Sequence, residues 1–72
     1  MNLIKPFAKF QLNHSYVVLT QDRTALHITI LRITQKCYEF QIQGIAVTSW
    51  GPFNAVEAQF TVIEDLGIDK AN

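Results

Sequence analysis

The chain has one cysteine, Cys37, so no disulfide can form within it, and a reducing, cytoplasmic setting is expected. It also lacks a long apolar run. The stretch near its first residues is broken by Lys5, Pro6 and Lys9, too short and too interrupted for a signal peptide or a membrane span, so no membrane association is expected. It has no excess of either charge: six Lys and Arg, scattered along the chain, face six Asp and Glu. Affinity for a phosphate backbone comes from clustered cations that release counterions, and no such cluster exists, so nucleic acid is not the expected partner.

Glycine is equally sparse. Gly44, Gly51 and Gly67 stand alone, which excludes a glycine-rich phosphate cradle of the usual spacing. His14 and His27 have no Cys, Asp or Glu at a metal-ligand interval, so both read as solvent-facing histidines and no metal or cofactor is expected. Ser15 follows His14 directly in a turn-like stretch, and no strand-turn-helix elbow frames Ser15 or Ser49. The expectation is a protein without catalytic activity. Glu57, Glu64, Asp65 and Asp69 make the last third mildly acidic and read as a solvated face and tail.

What is present is apolar and β-forming. Of 72 residues, 49% are hydrophobic, with five Phe, two Tyr and one Trp. A chain of this length makes one domain and buries only about 60% of its unfolded surface, so the core must be efficient. Residues 38–42 and 45–50, divided by Gln43 and Gly44, read as a hairpin. A two-residue turn sets Ile42 against Ile45, Phe40 against Val47 and Tyr38 against Ser49, with the apolar side chains on one face. Residues 16–20 read as an earlier strand, turned by residues 21–24.

Residues 26–34 form the longest strand candidate. Leu26, Ile28 and Ile30 share one face while Leu31 and Ile33 share the other, a slip of phase near Ile30 that calls for a β-bulge or a sharp coil. A turn at Gln35 and Lys36 then pairs Ile33 with Tyr38, Leu31 with Phe40 and Arg32 with Glu39, the last an outer-face ion pair worth ~0.2–1 kcal/mol. The predicted core is Tyr38, Phe40, Ile42, Ile45 and Val47 with Ile28, Ile33 and Val62.

After Trp50 two readings compete. Asn54 as N-cap, Glu57 three residues on, and Phe53, Val56, Phe60 and Ile63 at helical spacing predict one helix closed by Gly67. The β-branched run at residues 60–63 predicts instead a helical turn over residues 54–59 followed by a strand. The order of strands, the Trp-Gly-Pro corner and the positions of Pro52, Asn54 and Val56 resemble the Src-homology-3-like small β-barrel, and the runs ITQKCYEF and FTVIEDLG are similar in layout to small bacterial proteins of that type. The resemblance covers residues 15–67. It implies an all-β, five-stranded barrel with one short helical turn before the last strand, the alternative being a three-stranded sheet plus a C-terminal helix. Residues 1–14 are then an irregular N-terminal arm and residues 68–72 a tail. Because Ala55 stands where the family has a groove tyrosine, and the first loop has only Asp22, the resemblance does not imply polyproline binding.

The function these readings favour is a non-catalytic interaction module that meets a protein partner or its own copy. Trp50, Phe53 and Arg32 are the candidate interaction surface, since Trp and Arg are enriched at interface hot spots. Near-zero net charge does little to keep copies apart, so a homodimer is the simplest form. The alternative is a small nucleic-acid-binding domain of three strands and a helix: WGPFNAVEAQ resembles the strand-to-helix corner of the domains of plant ethylene-response factors and integrase arm regions. That resemblance implies Arg- and Trp-rich reading strands, where this chain has Arg32, Glu39 and several Gln.

Overall fold

Alternation of apolar and polar residues builds five strands into one antiparallel sheet. The structure is a computed structural model and describes residues 9–68. The elements are β1 (His14–Leu19), β2 (Ala25–Ile33), β3 (Cys37–Ile42), β4 (Thr48–Pro52), α1 (Phe53–Gln59) and β5 (Thr61–Ile68). The spatial order is β4-β3-β2-β1-β5, with β4 and β5 as the two edges and the sheet not closed. Leu3, Ile4, Pro6 and Phe7 of the expected arm, and residues 69–72 of the expected tail, lie outside the described residues.

One face of the sheet carries Tyr16, Val18, Ile28, Ile30, Tyr38 and Phe40, all buried. The second layer is thin: Phe10, Val56 of α1 and Phe60 close over that face, with Leu26, Ile33, Ile42 and Phe53 packed at its margin. Phe10 stands edge-on to both Tyr16 and Tyr38, at 5.0 and 5.2 Å between ring centroids, geometry worth ~0.5–1.5 kcal/mol per pair beyond burial. Phe40 and Phe60 meet the same way at 5.6 Å. The core therefore reaches into the stretch expected to be an arm, and β5 extends to Ile68, one residue past the expected end of the barrel.

The phase slip in β2 is a bulge. Arg32 opposes Glu39 and Ile33 opposes Tyr38 as expected, but Phe40 is faced by Ile30, and Leu31 is the residue left over. The ion pair forms, with Arg32 Nε 3.3 Å from Glu39 Oε1.

The second hairpin is paired two residues away from expectation. Phe40 opposes Ser49, and Tyr38 opposes Gly51, so Ile45 and Val47 leave the ladder and are exposed, Val47 at 68%. The expected turn is there, with Ile45 N–H donating to the Ile42 carbonyl at 3.0 Å and Gly44 at φ 93°, but residues 45–47 loop out before pairing begins. The Gln41 side-chain amide holds the loop by donating to the Ile45 carbonyl at 2.6 Å. The shifted pairing continues past the strand end, with Phe53 N–H donating to the Lys36 carbonyl at 2.9 Å. Gly51 lies beneath α1, where a Cβ would stand 2.7 Å from Val56 Cγ2, so only glycine lets the helix sit this low on β4.

The helix begins at Phe53 behind Pro52, whose extended backbone makes it the N-cap, and no side chain caps it. Asn54 therefore lies in the first turn and the expected capping box is absent. The chain leaves the helix at Phe60 and enters β5, so a single helix running from residue 54 to Gly67 is excluded. Val62 pairs with Val18 but is exposed, because β5 lies at the edge beyond the covering layer.

Candidate interaction surfaces

Three side chains catch the backbone that carries Phe10. Lys9 N–H donates to Glu57 Oε2 at 2.9 Å, Phe10 N–H to the Tyr38 hydroxyl at 3.1 Å, and Gln11 N–H to the Tyr16 hydroxyl at 2.7 Å. Having no strand neighbour, these donors need such partners. A turn closed by His14 N–H on the Gln11 carbonyl, with Asn13 at φ 64°, then feeds the chain into β1. Burial, followed by the Glu57 hydrogen bond, pushes the Tyr38 phenol above its ordinary pKa, and burial does the same to Tyr16. Glu57 is thus a structural acceptor rather than part of a solvated face.

Asp65 is also engaged. Its Oδ1 accepts from Gly67 N–H at 2.9 Å and lies 3.1 Å from His14 Nδ1, and these two contacts, the backbone one first, hold its carboxyl below the usual carboxylate range. His14 is consequently the first residue of β1 with a partner 51 positions away, not a free turn histidine. No spacing in the sequence signals that pair. Among the described residues no group of three or more His, Cys, Asp and Glu is arranged to hold a metal, and no helix is long and apolar enough to cross a membrane.

The expected surface of Trp50, Phe53 and Arg32 is divided by the fold. Arg32, Glu39 and Trp50 stand side by side across β2, β3 and β4 on the face opposite the core. Arg32 lies over the indole at 5.6 Å from the ring centroid, and Glu39 binds it while accepting from Thr48 Oγ1 at 3.0 Å. Trp50 is 53% exposed, with the Arg32 guanidinium as its cation–π neighbour. Phe53 turns to the other side and packs on Tyr38 at 4.8 Å, where it serves the core.

A second surface lies on β5, at the far edge of the sheet. Val62, Ile63, Leu66 and Ile68 are each between 43% and 64% exposed, in a strand of eight residues. Two register shifts against β1 leave Ile63 and Leu66 without ladder partners. Bulges and the adjacent Glu64 and Asp65 are devices that discourage indefinite edge-to-edge pairing, yet the apolar side chains remain in water. Of these four, Val62 belongs to the core predicted from the sequence, and its place on the edge strand leaves it exposed instead.

Compared with protein-family models, with characterised proteins and with solved structures, the chain matches none.

Proposed function

We propose that the protein is a non-catalytic interaction module that associates with a second copy of itself through β5. The observation that carries this reading is the exposure of Val62, Ile63, Leu66 and Ile68 on one edge strand. Such a run costs solubility in a monomer and gains the usual ~25 cal/mol per Å² of apolar area when covered. Because the bulges at Ile63 and Leu66 spoil continuous ladder extension, the contact is made by packed side chains and closes as a two-fold pair rather than growing into a fibre. The near-balance of charge on the chain leaves little repulsion to oppose it.

We read the fold, within this proposal, as the small Src-homology-3-like barrel. The strand order β4-β3-β2-β1-β5, the bulge in β2 and the seven-residue helix between β4 and β5 support it. Concentration-dependent NMR tests the association: amide signals of β5 shift or broaden as the protein is raised through the micromolar range while those of β3 hold still. Signals that do not change with concentration count against the proposal, and changes confined to Trp50 and its neighbours would move the contact to the opposite edge.

A further inference from the structure

The outer face of the sheet carries a second, chemically different surface. Register places Ser15, Thr29, Gln41 and Thr48 in one row across β1, β2, β3 and β4. Arg32, Glu39 and Trp50 form the neighbouring row, two residues along β3 and β4 and three along the bulged β2, and so about 7 Å away. Between β1 and the end of β3 lies a depression of about 300 Å³, lined by Ser15, His27, Thr29, Leu31, Gln41 and Gln43. That is the lower end of the size range of small-molecule sites. The bulge in β2 contributes directly, since it turns Leu31 out of the ladder and onto this wall.

The hydrogen-bonding capacity here is not used up by the protein. Ser15 is the buried polar residue among those described, and its hydroxyl shares a single 2.8 Å hydrogen bond with that of Thr29. Two hydroxyl protons serve one bond, so one donor remains unspent beside the depression. Gln41 commits one amide N–H to the Ile45 carbonyl and keeps its own carbonyl oxygen and a second N–H. The Gln43 amide and the His27 ring have no side-chain partner among the described residues. The one cation of the neighbouring row, Arg32, is paired through Nε with Glu39 and lies over the Trp50 ring.

This combination selects among ligand classes. A nucleic-acid strand requires clustered cations to replace counterions, and the two rows hold one, Arg32, with Glu39 beside it. An extended peptide read by its backbone needs an open strand edge, and the depression lies over β1, β2 and β3, which are paired on both sides, away from the open edge at β4. Uncharged amides and hydroxyls that both donate and accept match a ligand whose own groups do both. The half-exposed Trp50 indole, with Arg32 over the ring, offers its uncovered surface as an apolar wall to C–H groups. We propose that the outer face of β1–β4, from the Ser15–Gln43 depression to Trp50, binds a neutral saccharide.

The test is a titration of the isotope-labelled full chain with soluble neutral oligosaccharides: maltohexaose, cellohexaose, chitohexaose and mannohexaose. The expected result is that at least one of them, at millimolar concentration, saturably shifts the side-chain amides of Gln41 and Gln43 and the Trp50 indole. Trp50→Ala and Gln41→Ala should each weaken that binding about tenfold or more, with circular dichroism unchanged, and Gln43→Ala replaces any variant that does not fold. No shift with any of the four sugars overturns the proposal, as does equal binding by the variants or a shift confined to β5. The same shifts produced by oligothymidylate, and abolished by salt, also overturn it and assign the face to a nucleic-acid strand. Concentration-dependent signals at β5 report on self-association and not on this site, so the two proposals fail separately.

Discussion

Tyr38 reaches Glu57 across 19 residues of chain, its hydroxyl donating to Oε2 at 2.5 Å while accepting from Phe10 N–H. The same carboxylate oxygen takes Lys9 N–H, so β3, α1 and the segment bearing Phe10 meet at one acceptor. Tyr38→Phe keeps the ring and removes both bonds, leaving a buried N–H and a half-buried carboxylate short of partners. The expected loss is ~1–3 kcal/mol in urea unfolding. Glu57→Gln should cost less and couple to it in a double-mutant cycle, whereas additive effects would mean that the two groups act separately.

The raised phenol pKa values carry a sign. A group whose folded pKa exceeds its unfolded value near 10.0 stabilises fully below that pH, and the contribution is lost as pH rises toward and through the folded value. Tyrosinate absorbance in the folded protein should therefore lag behind free tyrosine in an alkaline titration and appear together with loss of secondary structure. Both tyrosines titrating near the free value in a still-folded chain would contradict the Phe10 arrangement.

Phe40 and Val47 separate the observed hairpin register from the simpler one. Phe40 is 3% exposed and packs on Phe60, so Phe40→Ala should cost ~3–5 kcal/mol. Val47 is outside the ladder, and Val47→Ala should stay within about 0.5 kcal/mol. Comparable losses from the two substitutions would restore the pairing of Phe40 with Val47.

Gly51→Ala tests how closely α1 is seated. The new methyl meets Val56, a buried residue that cannot swing away, and the expected cost is ~1–3 kcal/mol by thermal or urea unfolding. In a Val56→Ala background the same change should cost much less. An equal cost in both backgrounds would show that helix and strand are not in contact there.

Much of this architecture is legible in the residue order, and the misses have specific causes. The change of apolar phase at Ile30 announces a bulge, because no flat strand keeps both Ile28 and Ile33 against the core. The hairpin pairs two residues away from the expected register, and a shift of two preserves which side chains share a face, so alternation alone cannot distinguish Phe40–Val47 from Phe40–Ser49. What accompanies the observed pairing is a bond beyond the strand, Phe53 N–H on the Lys36 carbonyl, which alternation does not reveal. β-branched density correctly marks residues 61–63 as strand, but whether such a strand is covered depends on its place in the sheet, and β5 falls at the edge. Arg32 and Trp50 could be brought together on paper only by pairing both with Glu39. The partners of Glu57 and His14 come from distant segments and leave no local pattern.

Sedimentation velocity across the micromolar range, on the wild-type chain and on a variant carrying Ile63→Lys and Leu66→Lys, is the most direct test of β5 as a contact surface. Both positions are exposed and outside the ladder, so the substitutions should leave the circular dichroism spectrum unchanged. The account predicts a dimer for the wild type and a monomer for the variant. A wild-type monomer at every concentration, or a dimer that survives both lysines, would contradict it.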